Sequence, residues 1–418
     1  MKAKLTYTIL MLISAVLGLV KSIAIAGFAE LSDFGLYSLF LLLGVLLGFF
    51  YGLGVDIGFI RNGSLLIGKK NYLEARRIHC DAIYSLLIAS PIFVFLVYFI
   101  GKLLSFYFNF EGIYLFIGLY SISLVINNLM LSYLRVTSEL NLFALLLLLR
   151  GLLSLILAYV FYSELSLYGL IASEVITYLL VFVFLFFYFD YHHEVKNIEL
   201  LRGYHNYKTL IKIGFPFSQA YIAHNFTMNA DKWIVALSLG SINLAIYSFA
   251  MIIFSAISSI LNLISQALIP TWLSTLENGN AIRLLFKRVQ LYALSILLLG
   301  ILCYFPFIFL FKFFIINYYA QYQDSLGIIS IIYFASIVHL SNLFEVVLIK
   351  EDKGRYLFVV NLILLAISLS SCLWLFLNTY DLKYYAYLFL LLRLLCFILL
   401  YNISKKISTG VSALSNTK

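Results

Sequence analysis

Long apolar runs recur along the whole chain, and they constrain its fold more than any other feature. Each has about 20 residues, the length at which an α-helix crosses about 30 Å of hydrocarbon. Twelve runs can be read, at 5–27, 36–60, 81–101, 111–133, 143–162, 166–189, 213–237, 242–266, 289–311, 324–349, 356–377 and 383–403. Only 11% of the 418 residues are charged and 63% are hydrophobic, so a soluble fold is excluded. The sequence predicts an all-α polytopic membrane protein with twelve transmembrane helices.

Lysine and arginine are distributed unevenly between the predicted loops. If the N-terminus is inside, the outer loops hold only three of the 28 basic residues, namely Lys102, Lys312 and Lys383. Short cytoplasmic loops are enriched in Lys and Arg, so both termini are predicted to be cytoplasmic. The first 27 residues imitate a secretory signal, but Lys21 interrupts it, and we expect an uncleaved first helix. The net charge of +9 follows from this topology and from attraction to anionic membrane lipids, so no nucleic-acid partner is expected.

The two halves of the chain repeat each other. Tyr37 recurs as Tyr247 at an offset of 210, and Lys21 recurs as Lys232 at an offset of 211. Two six-helix halves that enter the membrane in the same direction form the parallel-repeat plan of several secondary transporters, whose substrate site lies between the halves. We predict an N-terminal six-helix lobe at 1–189, a cytoplasmic linker at 190–212, a parallel C-terminal six-helix lobe at 213–403 and a cytoplasmic tail at 404–418.

Glycine and proline add detail to this plan. Gly44, Gly48 and Gly52 form a ridge suited to close helix packing. Pro91 interrupts a predicted helix, whereas Pro216 is predicted at a helix end, where proline needs no explanation.

No soluble domain interrupts the predicted helices, and the longest loop, 190–212, is polar but short. Catalysis on a soluble substrate has no obvious place, so we predict that the protein is not an enzyme and has no cofactor. The stretch GSLLIGKK at 63–70 nearly spells a phosphate-binding loop, but Lys70 replaces the Ser or Thr that would bind magnesium. The stretch DYHHE at 190–194 lacks a second His at the spacing of a zinc site, so no metal site is expected.

Charged side chains inside the spans are the main functional signal, because each costs about 2.5–3.5 kcal/mol at the bilayer centre. Four cations and four anions lie within the spans or at their margins: Lys21, Asp56, Arg150, Glu174, Asp231, Lys232, Glu345 and Arg393. For Lys21, Asp56 and Glu345, near helix ends, an interfacial role and a functional role are both open. For Arg150 and Lys232 a functional role is favoured over a charge pair that fixes helix packing.

The span 213–237 is the most polar of the twelve. Asn225, Asn229 and Lys232 fall at i, i+4 and i+7, so they share one helix face. A wet cavity suits this face better than lipid does. Lys232 falls in the outer third of its span and Arg150 nearer the inner side, which suggests a path for an anion across the bilayer.

Three stretches resemble a known family. They are GLVKSIAIAGFAELSDFGLYSLF at 18–40, GVDIGFIRNGS at 54–64 and NADKWIVALSLGSINLAIYSF at 229–249. They are similar to the polysaccharide-type (Wzx, O-antigen) flippases of the multidrug/oligosaccharidyl-lipid/polysaccharide exporter superfamily. The resemblance implies a two-lobed transporter in a bacterial inner membrane. It implies a cargo of undecaprenyl-pyrophosphate-linked oligosaccharide, an O-antigen or capsule repeat unit, that is moved from the cytoplasmic to the outer leaflet by ion-coupled exchange. Contact with the polysaccharide polymerase machinery is a further expectation.

With such a cargo, the intramembrane polar residues take predicted roles. The candidates for binding the anionic substrate through a cationic cavity are Lys21, Arg150, Lys232, Arg393, Asn225 and Asn229, because a low dielectric strengthens charge pairing. The candidates for carrying a coupling proton or sodium ion are Asp231, Glu174, Asp56 and His224. One alternative is a cation-coupled multidrug exporter of the same superfamily, in which acidic residues should dominate the cavity. Another is a membrane polysaccharide polymerase or lipid-linked glycosyltransferase, which should carry a substantial outer loop.

Overall fold

A computed structural model describes residues 2–104, 112–191, 200–274, 281–350, 354–378 and 381–415 of the chain. Within these ranges every regular element is helical. The first helices are α1 (Lys2–Phe28), α2 (Leu31–Gly52), α3 (Val55–Gly68), α4 (Tyr72–Leu104), α5 (Ile113–Val136) and α6 (Leu140–Tyr188). They are followed by α7 (Leu200–Ser274), α8 (Ala281–Tyr318), α9 (Leu326–Val338), α10 (Asn342–Lys350), α11 (Gly354–Asn378) and α12 (Leu382–Ser415), with short 3-10 helices at Ala320–Ser325 and His339–Ser341.

Ten stretches of the described residues are long and apolar enough to cross a membrane. Two of them contain a break in the helical backbone, at Ser166 (φ 48°, ψ −129°) in α6 and at Gly240 (φ 81°, ψ −178°) in α7. Both breaks coincide with boundaries between predicted spans. The chain is therefore a multi-pass membrane protein, whereas the count of twelve crossings and the cytoplasmic position of the termini stay predictions.

The prediction of one continuous helix at 36–60 is wrong. α2 ends at Gly52, and α3 begins at Val55 after Leu53 and Gly54 adopt left-handed backbone with φ of 47° and 79°. The Leu53 N–H donates to the Phe49 carbonyl at 3.0 Å, which satisfies one of the last carbonyls of α2. Gly54 adopts positive φ without steric cost, since it has no Cβ. Asp56 consequently lies in the first turn of α3 rather than near the end of a long helix.

Other helix ends also differ from the prediction. Residues 200–212 of the predicted linker are helical and begin α7, and Pro216 lies inside that helix rather than at its end. Residues 192–199 of the same linker lie outside the described residues. The predicted span 324–349 is divided by the 3-10 turn at His339–Ser341, and α12 continues through most of the predicted tail to Ser415.

The chain forms two compact units, Met1–Ile222 and Ala223–Lys418. The boundary between them lies inside α7, so the first part of this helix belongs to the first unit. The lobe bounds inferred from the repeat, 1–189 and 213–403, stay a prediction.

The first unit is organised around α5, which packs against α2, α3, α4 and α6, while α1 packs against α6. The predicted glycine ridge of α2 faces α5. A Cβ on Gly44 would lie 2.2 Å from the Tyr120 ring, and a Cβ on Gly52 would lie 2.9 Å from Val125. The ridge therefore lets α2 approach α5 closely, as the spacing predicts.

A second close approach joins α3 to the first part of α7. A Cβ on Gly214 would lie 1.9 Å from the Gly54 carbonyl oxygen, and a Cβ on Gly58 would lie 2.1 Å from the Leu210 carbonyl oxygen. These neighbours are backbone atoms and cannot rotate away. The start of α7 is thus fixed to the turn between α2 and α3.

Replacement of Gly214 by Ala is therefore expected to destabilise the protein by about 1–3 kcal/mol, the usual cost of overpacking. The midpoint of thermal unfolding in detergent should fall, and the yield of folded protein should fall with it. Gly18→Ala is the matched control, because a Cβ on Gly18 meets nothing within 4 Å. Equal midpoints for the two variants would contradict the backbone contact.

The second unit is organised around α12, which packs against α8, α9, α10 and α11. α8 also packs against α9 and α10. Its core contains aromatic contacts, and Phe249 stacks on Tyr322 with ring centroids 4.2 Å apart. Polar side chains of α7, α11 and α12 enter this interior and form the second part of the candidate site.

Candidate functional site

A buried carboxylate is the centre of the polar cluster in the first unit. Glu174 lies in α6 after the break at Ser166 and is only 3% exposed. It forms an ion pair with Lys21 of α1. The Tyr37 hydroxyl of α2 donates to Glu174 Oε1 at 2.5 Å, and the Ser154 hydroxyl donates to the same atom at 2.9 Å. Lys21, predicted as a substrate contact, and Glu174, predicted as an ion-coupling group, are therefore partners of each other.

Arg150 differs from Lys21 in having no carboxylate partner. Its guanidinium lies over the Tyr178 ring, with 4.8 Å from Cζ to the ring centroid. No hydrogen bond or ion pair joins this guanidinium to another described side chain, and the residue is partly exposed. Tyr178 packs edge to face against Tyr120 at 5.5 Å between centroids. Arg150 thus presents unused N–H donors beside an aromatic surface.

Asp56 is separate from this cluster. It lies in the first turn of α3, where the positive end of the helix dipole favours a carboxylate. Burial raises the pKa of Asp56 above its usual value, and the backbone N–H groups of Asp56 and Ile57 and the charge of Arg135 oppose this rise. Stabilisation of the start of α3 is thus sufficient reason for a carboxylate at position 56. The ion-coupling role of Asp56 stays a prediction.

A buried histidine was not among the predicted site residues. His79 of α4 is 0% exposed. The Tyr191 hydroxyl lies 2.5 Å from His79 Nδ1, and the Leu129 carbonyl oxygen lies 2.9 Å from Nε2. Since a carbonyl only accepts, Nε2 carries the proton and Tyr191 donates to Nδ1. Both nitrogens are used in joining α4 to α5 and to the chain just after α6, so His79 has a packing role.

The polar stripe predicted in α7 is continuous in the second unit. The Asn229 side-chain amide donates to the Asn225 backbone carbonyl at 3.0 Å and to Asn225 Oδ1 at 3.4 Å. Lys232 Nζ donates to Asn229 Oδ1 at 3.3 Å. These contacts place the three side chains on one helix face. The stripe uses only part of the hydrogen-bonding capacity of Lys232, because an ammonium has three donors.

Asp231 faces away from this stripe and is 3% exposed. The Tyr247 hydroxyl donates to Asp231 Oδ2 at 2.5 Å. The other carboxylate oxygen, Oδ1, is buried and has no hydrogen-bond partner among the described residues. Asp231 and Glu174 therefore each accept a hydrogen bond from the tyrosine that recurs in the two halves of the sequence.

Arg393 of α12 is a buried cation, 3% exposed. Its Cζ lies 4.6 Å from the Phe389 ring centroid and 5.7 Å from the Phe254 ring centroid. Nε and Nη2 are buried without a hydrogen-bond partner in the described part of the chain. The guanidinium interacts electrostatically with Asp231 and His224.

The last predicted site residue, His224, lies at the start of the second unit. Its ring bonds to the Asn361 side chain of α11. His339, in the 3-10 turn after α9, also enters this interior, with its ring 5.1 Å from that of Phe254. The structure therefore brings His224, Asp231 and Arg393 into one buried interior, while Lys232 and the two asparagines form the neighbouring stripe.

Neutral partners of the charged groups were missed from the sequence. Tyr37, Tyr247 and Ser154 have no signal of their own in an apolar span, and hydroxyl residues are common there. The repeat did contain a signal, since Tyr37 and Tyr247 recur at corresponding positions. From that repeat we inferred only that the two halves correspond, and not that both tyrosines donate hydrogen bonds to carboxylates.

Within the described ranges, no group of three or more His, Cys, Asp or Glu side chains is placed to hold a metal ion. A groove of about 610 Å³ in the first unit is lined almost wholly by apolar residues of α4, α5 and α6, including Pro91 and Phe95. It contains none of the predicted site residues.

Solved structures with the same fold are membrane transporters. A multidrug resistance MATE family transporter of the MOP superfamily matches in its inward-facing conformation, with a TM-score of 0.62, 14% identity, and coverage of 97% of this chain and 96% of that chain. The outward-facing conformation of such a transporter matches with a TM-score of 0.60, 14% identity, and coverage of 98% and 96%. A MOP superfamily transporter from Pyrococcus furiosus matches with a TM-score of 0.58, 14% identity, and coverage of 98% and 96%.

The long helices and the shared fold define a multi-pass membrane protein with the fold of these transporters. No curated protein sequence gives a significant match. A family model described as "Polysaccharide biosynthesis protein" matches residues 24–308. The chain belongs to this polysaccharide biosynthesis family.

Proposed function

We propose that the protein is a flippase that moves an undecaprenyl-pyrophosphate-linked oligosaccharide, such as a lipopolysaccharide O-antigen or capsule repeat unit, from the cytoplasmic to the outer leaflet of a bacterial inner membrane. The observation that carries the proposal is the state of Arg150. It is a cation within a membrane-spanning helix, and none of the described carboxylates neutralises it. A diphosphate is a suitable partner, because guanidinium groups bind phosphate oxygens through paired N–H donors.

The remaining predicted contacts support the same class of cargo. Lys232, Asn229 and Asn225 present a charged and amide surface on one face of α7, which suits phosphate and sugar hydroxyl groups. Family membership supports a role in polysaccharide biosynthesis. Transport without catalysis is part of the proposal, as is coupling to a proton or sodium ion carried by Asp231 or Glu174.

A cation-coupled multidrug exporter is the second candidate, because two of the matching structures are of multidrug resistance transporters. The charges favour it less. Glu174 is neutralised by Lys21, and Asp231 interacts electrostatically with the buried cation Arg393, so a cationic drug would compete with a cation of the protein at either carboxylate. We also propose that the flippase contacts the polysaccharide polymerase machinery, and such contacts would distinguish it from a multidrug exporter.

Complementation tests the proposed function. The chain should restore surface polysaccharide in a bacterium that lacks its own O-antigen flippase and makes several different repeat units. Lys232→Ala should lower the restored polysaccharide at least about tenfold, because a hydrogen bond to a charged group contributes about 1.5–3 kcal/mol and 1.4 kcal/mol is a factor of ten.

Lys287→Ala is the matched control, since Lys287 is exposed at the start of α8 and should restore polysaccharide fully. No restoration by the unaltered chain, with folded protein in the membrane, would contradict the flippase proposal. Resistance to cationic dyes in the same cells would then favour the multidrug exporter.

A further inference from the structure

The two units contain charges of opposite sign at one corresponding position. The offset of 210 that relates Tyr37 to Tyr247 also relates Lys21 to Asp231. In the first unit, α1 supplies the cation Lys21 and α6 supplies the anion Glu174. In the second unit, α7 supplies the anion Asp231 and α12 supplies the cation Arg393. Along the chain, the cation therefore precedes the anion in the first unit, whereas the anion precedes the cation in the second.

The two pairs also differ in whether they are closed, that is, whether the two charged side chains are in direct contact. Lys21 and Glu174 are in direct contact. Asp231 and Arg393 interact electrostatically, yet Asp231 Oδ1 and Arg393 Nε and Nη2 are left without hydrogen-bond partners. Both residues are only 3% exposed, so water cannot replace the missing partners cheaply. An unpaired charge in such an interior is costly unless a partner is within reach.

We infer that Arg393 is a positioning residue for Asp231, and that the two form a switchable ion pair that is open in this structure and closed in another state of the transport cycle. Closure would satisfy the unpaired oxygen of Asp231 and the unpaired nitrogens of Arg393. The Phe254 and Phe389 rings stabilise the guanidinium while the pair is open, since a cation over an aromatic face is attracted to it. The Lys21–Glu174 pair, which is in contact in this structure, is its counterpart in the first unit. Arg393 is thereby assigned to Asp231 rather than to the substrate.

Exchange of the two charges provides the most specific test, and its transport readout rests on the proposed function. The double variant Asp231→Lys, Arg393→Glu reproduces in the second unit the order of signs found in the first. Each single variant should lower polysaccharide export at least about tenfold, which corresponds to about 1.4 kcal/mol. The double variant should recover to within a few-fold of the unaltered chain. A double variant that exports no better than the weaker single variant, at equal amounts of folded protein, would overturn the inference.

A double-mutant cycle of neutral variants provides a second test if the protein with exchanged charges does not fold. Asp231→Asn, Arg393→Gln and their combination should show non-additive shifts in the midpoint of thermal unfolding of the purified protein. Asp324→Asn combined with Arg393→Gln is the control, because Asp324 is an exposed carboxylate of the same unit, and these two shifts should add. Additive shifts for Asp231 and Arg393, or equal coupling of Arg393 to Asp324, would contradict the proposed pair.

The two readouts separate the two proposals. Thermal unfolding needs no substrate, so a non-additive cycle without polysaccharide export would support the ion pair and contradict the flippase. Export by the unaltered chain together with an additive cycle would support the flippase and contradict the ion pair.

Discussion

Glu174→Gln is expected to remove most of the folded protein from the membrane. The carboxylate accepts hydrogen bonds from Lys21, Tyr37 and Ser154, and the side chains of Lys21 and Glu174 are only 17% and 4% exposed. The substitution leaves the Lys21 ammonium without a counter-ion, and the loss of one partner of a buried pair costs about 3–5 kcal/mol. That is a large part of a total stability of about 5–15 kcal/mol. The measurements are the yield of monodisperse protein in detergent and its midpoint of thermal unfolding.

The combined variant Lys21→Gln, Glu174→Gln is the control for this result. Two neutral amides can bond to each other, so the double variant should recover much of the yield that the single variant loses. Tyr37→Phe removes one donor from the carboxylate and should have a smaller effect, about 1.5–3 kcal/mol. A yield and a midpoint for Glu174→Gln equal to those of the unaltered chain would show that the pair contributes nothing to the fold.

Arg150→Glu is expected to abolish polysaccharide export while the protein stays folded in the membrane. Arg150 is partly exposed and bonds to no described carboxylate, so its reversal breaks no internal ion pair. A carboxylate at this position repels a diphosphate, and loss of a charge contact of this type costs about 2–5 kcal/mol. Export should therefore fall by a factor of about 30 to 1,000, at 1.4 kcal/mol per factor of ten. The measurement is surface polysaccharide per unit of folded protein.

Two variants make this result specific. Arg150→Lys retains the charge but loses the planar fork, so it should keep part of the export. Lys208→Glu reverses an exposed cation outside the candidate site, and it should leave export nearly unchanged. Full export by Arg150→Glu would exclude Arg150 as the contact for the anionic part of the substrate.

Hydropathy predicted the helical fold because a backbone in lipid must satisfy its hydrogen bonds internally, and the apolar runs have the required length. It did not predict the turn at Leu53 and Gly54. The sequence stays apolar through this turn, and hydropathy contains no information on backbone dihedral angles. The start of α7 was also missed, since residues 200–212 are polar and helical at once. A polar sequence indicates contact with water, but it does not exclude a helix, because a helix can continue into water beyond the hydrocarbon of the membrane.

The charged members of the candidate site were identified because each is costly in a span. Their pairing was not, because the partners come from helices far apart in the sequence. Lys21 and Glu174 are separated by 153 positions, and the sequence gives no distance between helices. Whether a given cation is neutralised, as Lys21 is, or left with unused donors, as Arg150 is, depends on packing, and only the structure distinguishes the two.

The position of the boundary inside α7 has a consequence for biosynthesis. Gly54 and Gly58 pack directly against the backbone of α7 at Gly214 and Leu210, so the first unit contains a segment that follows the predicted linker. During synthesis, α1 to α6 are complete before this segment has left the ribosome, and the turn between α2 and α3 then lacks its packing partner. A gene split within 192–199 would separate the two glycines from their contact, and co-expressed fragments cut there would have to reassemble across it. The first unit can finish folding only after the chain has entered the helix that also begins the second.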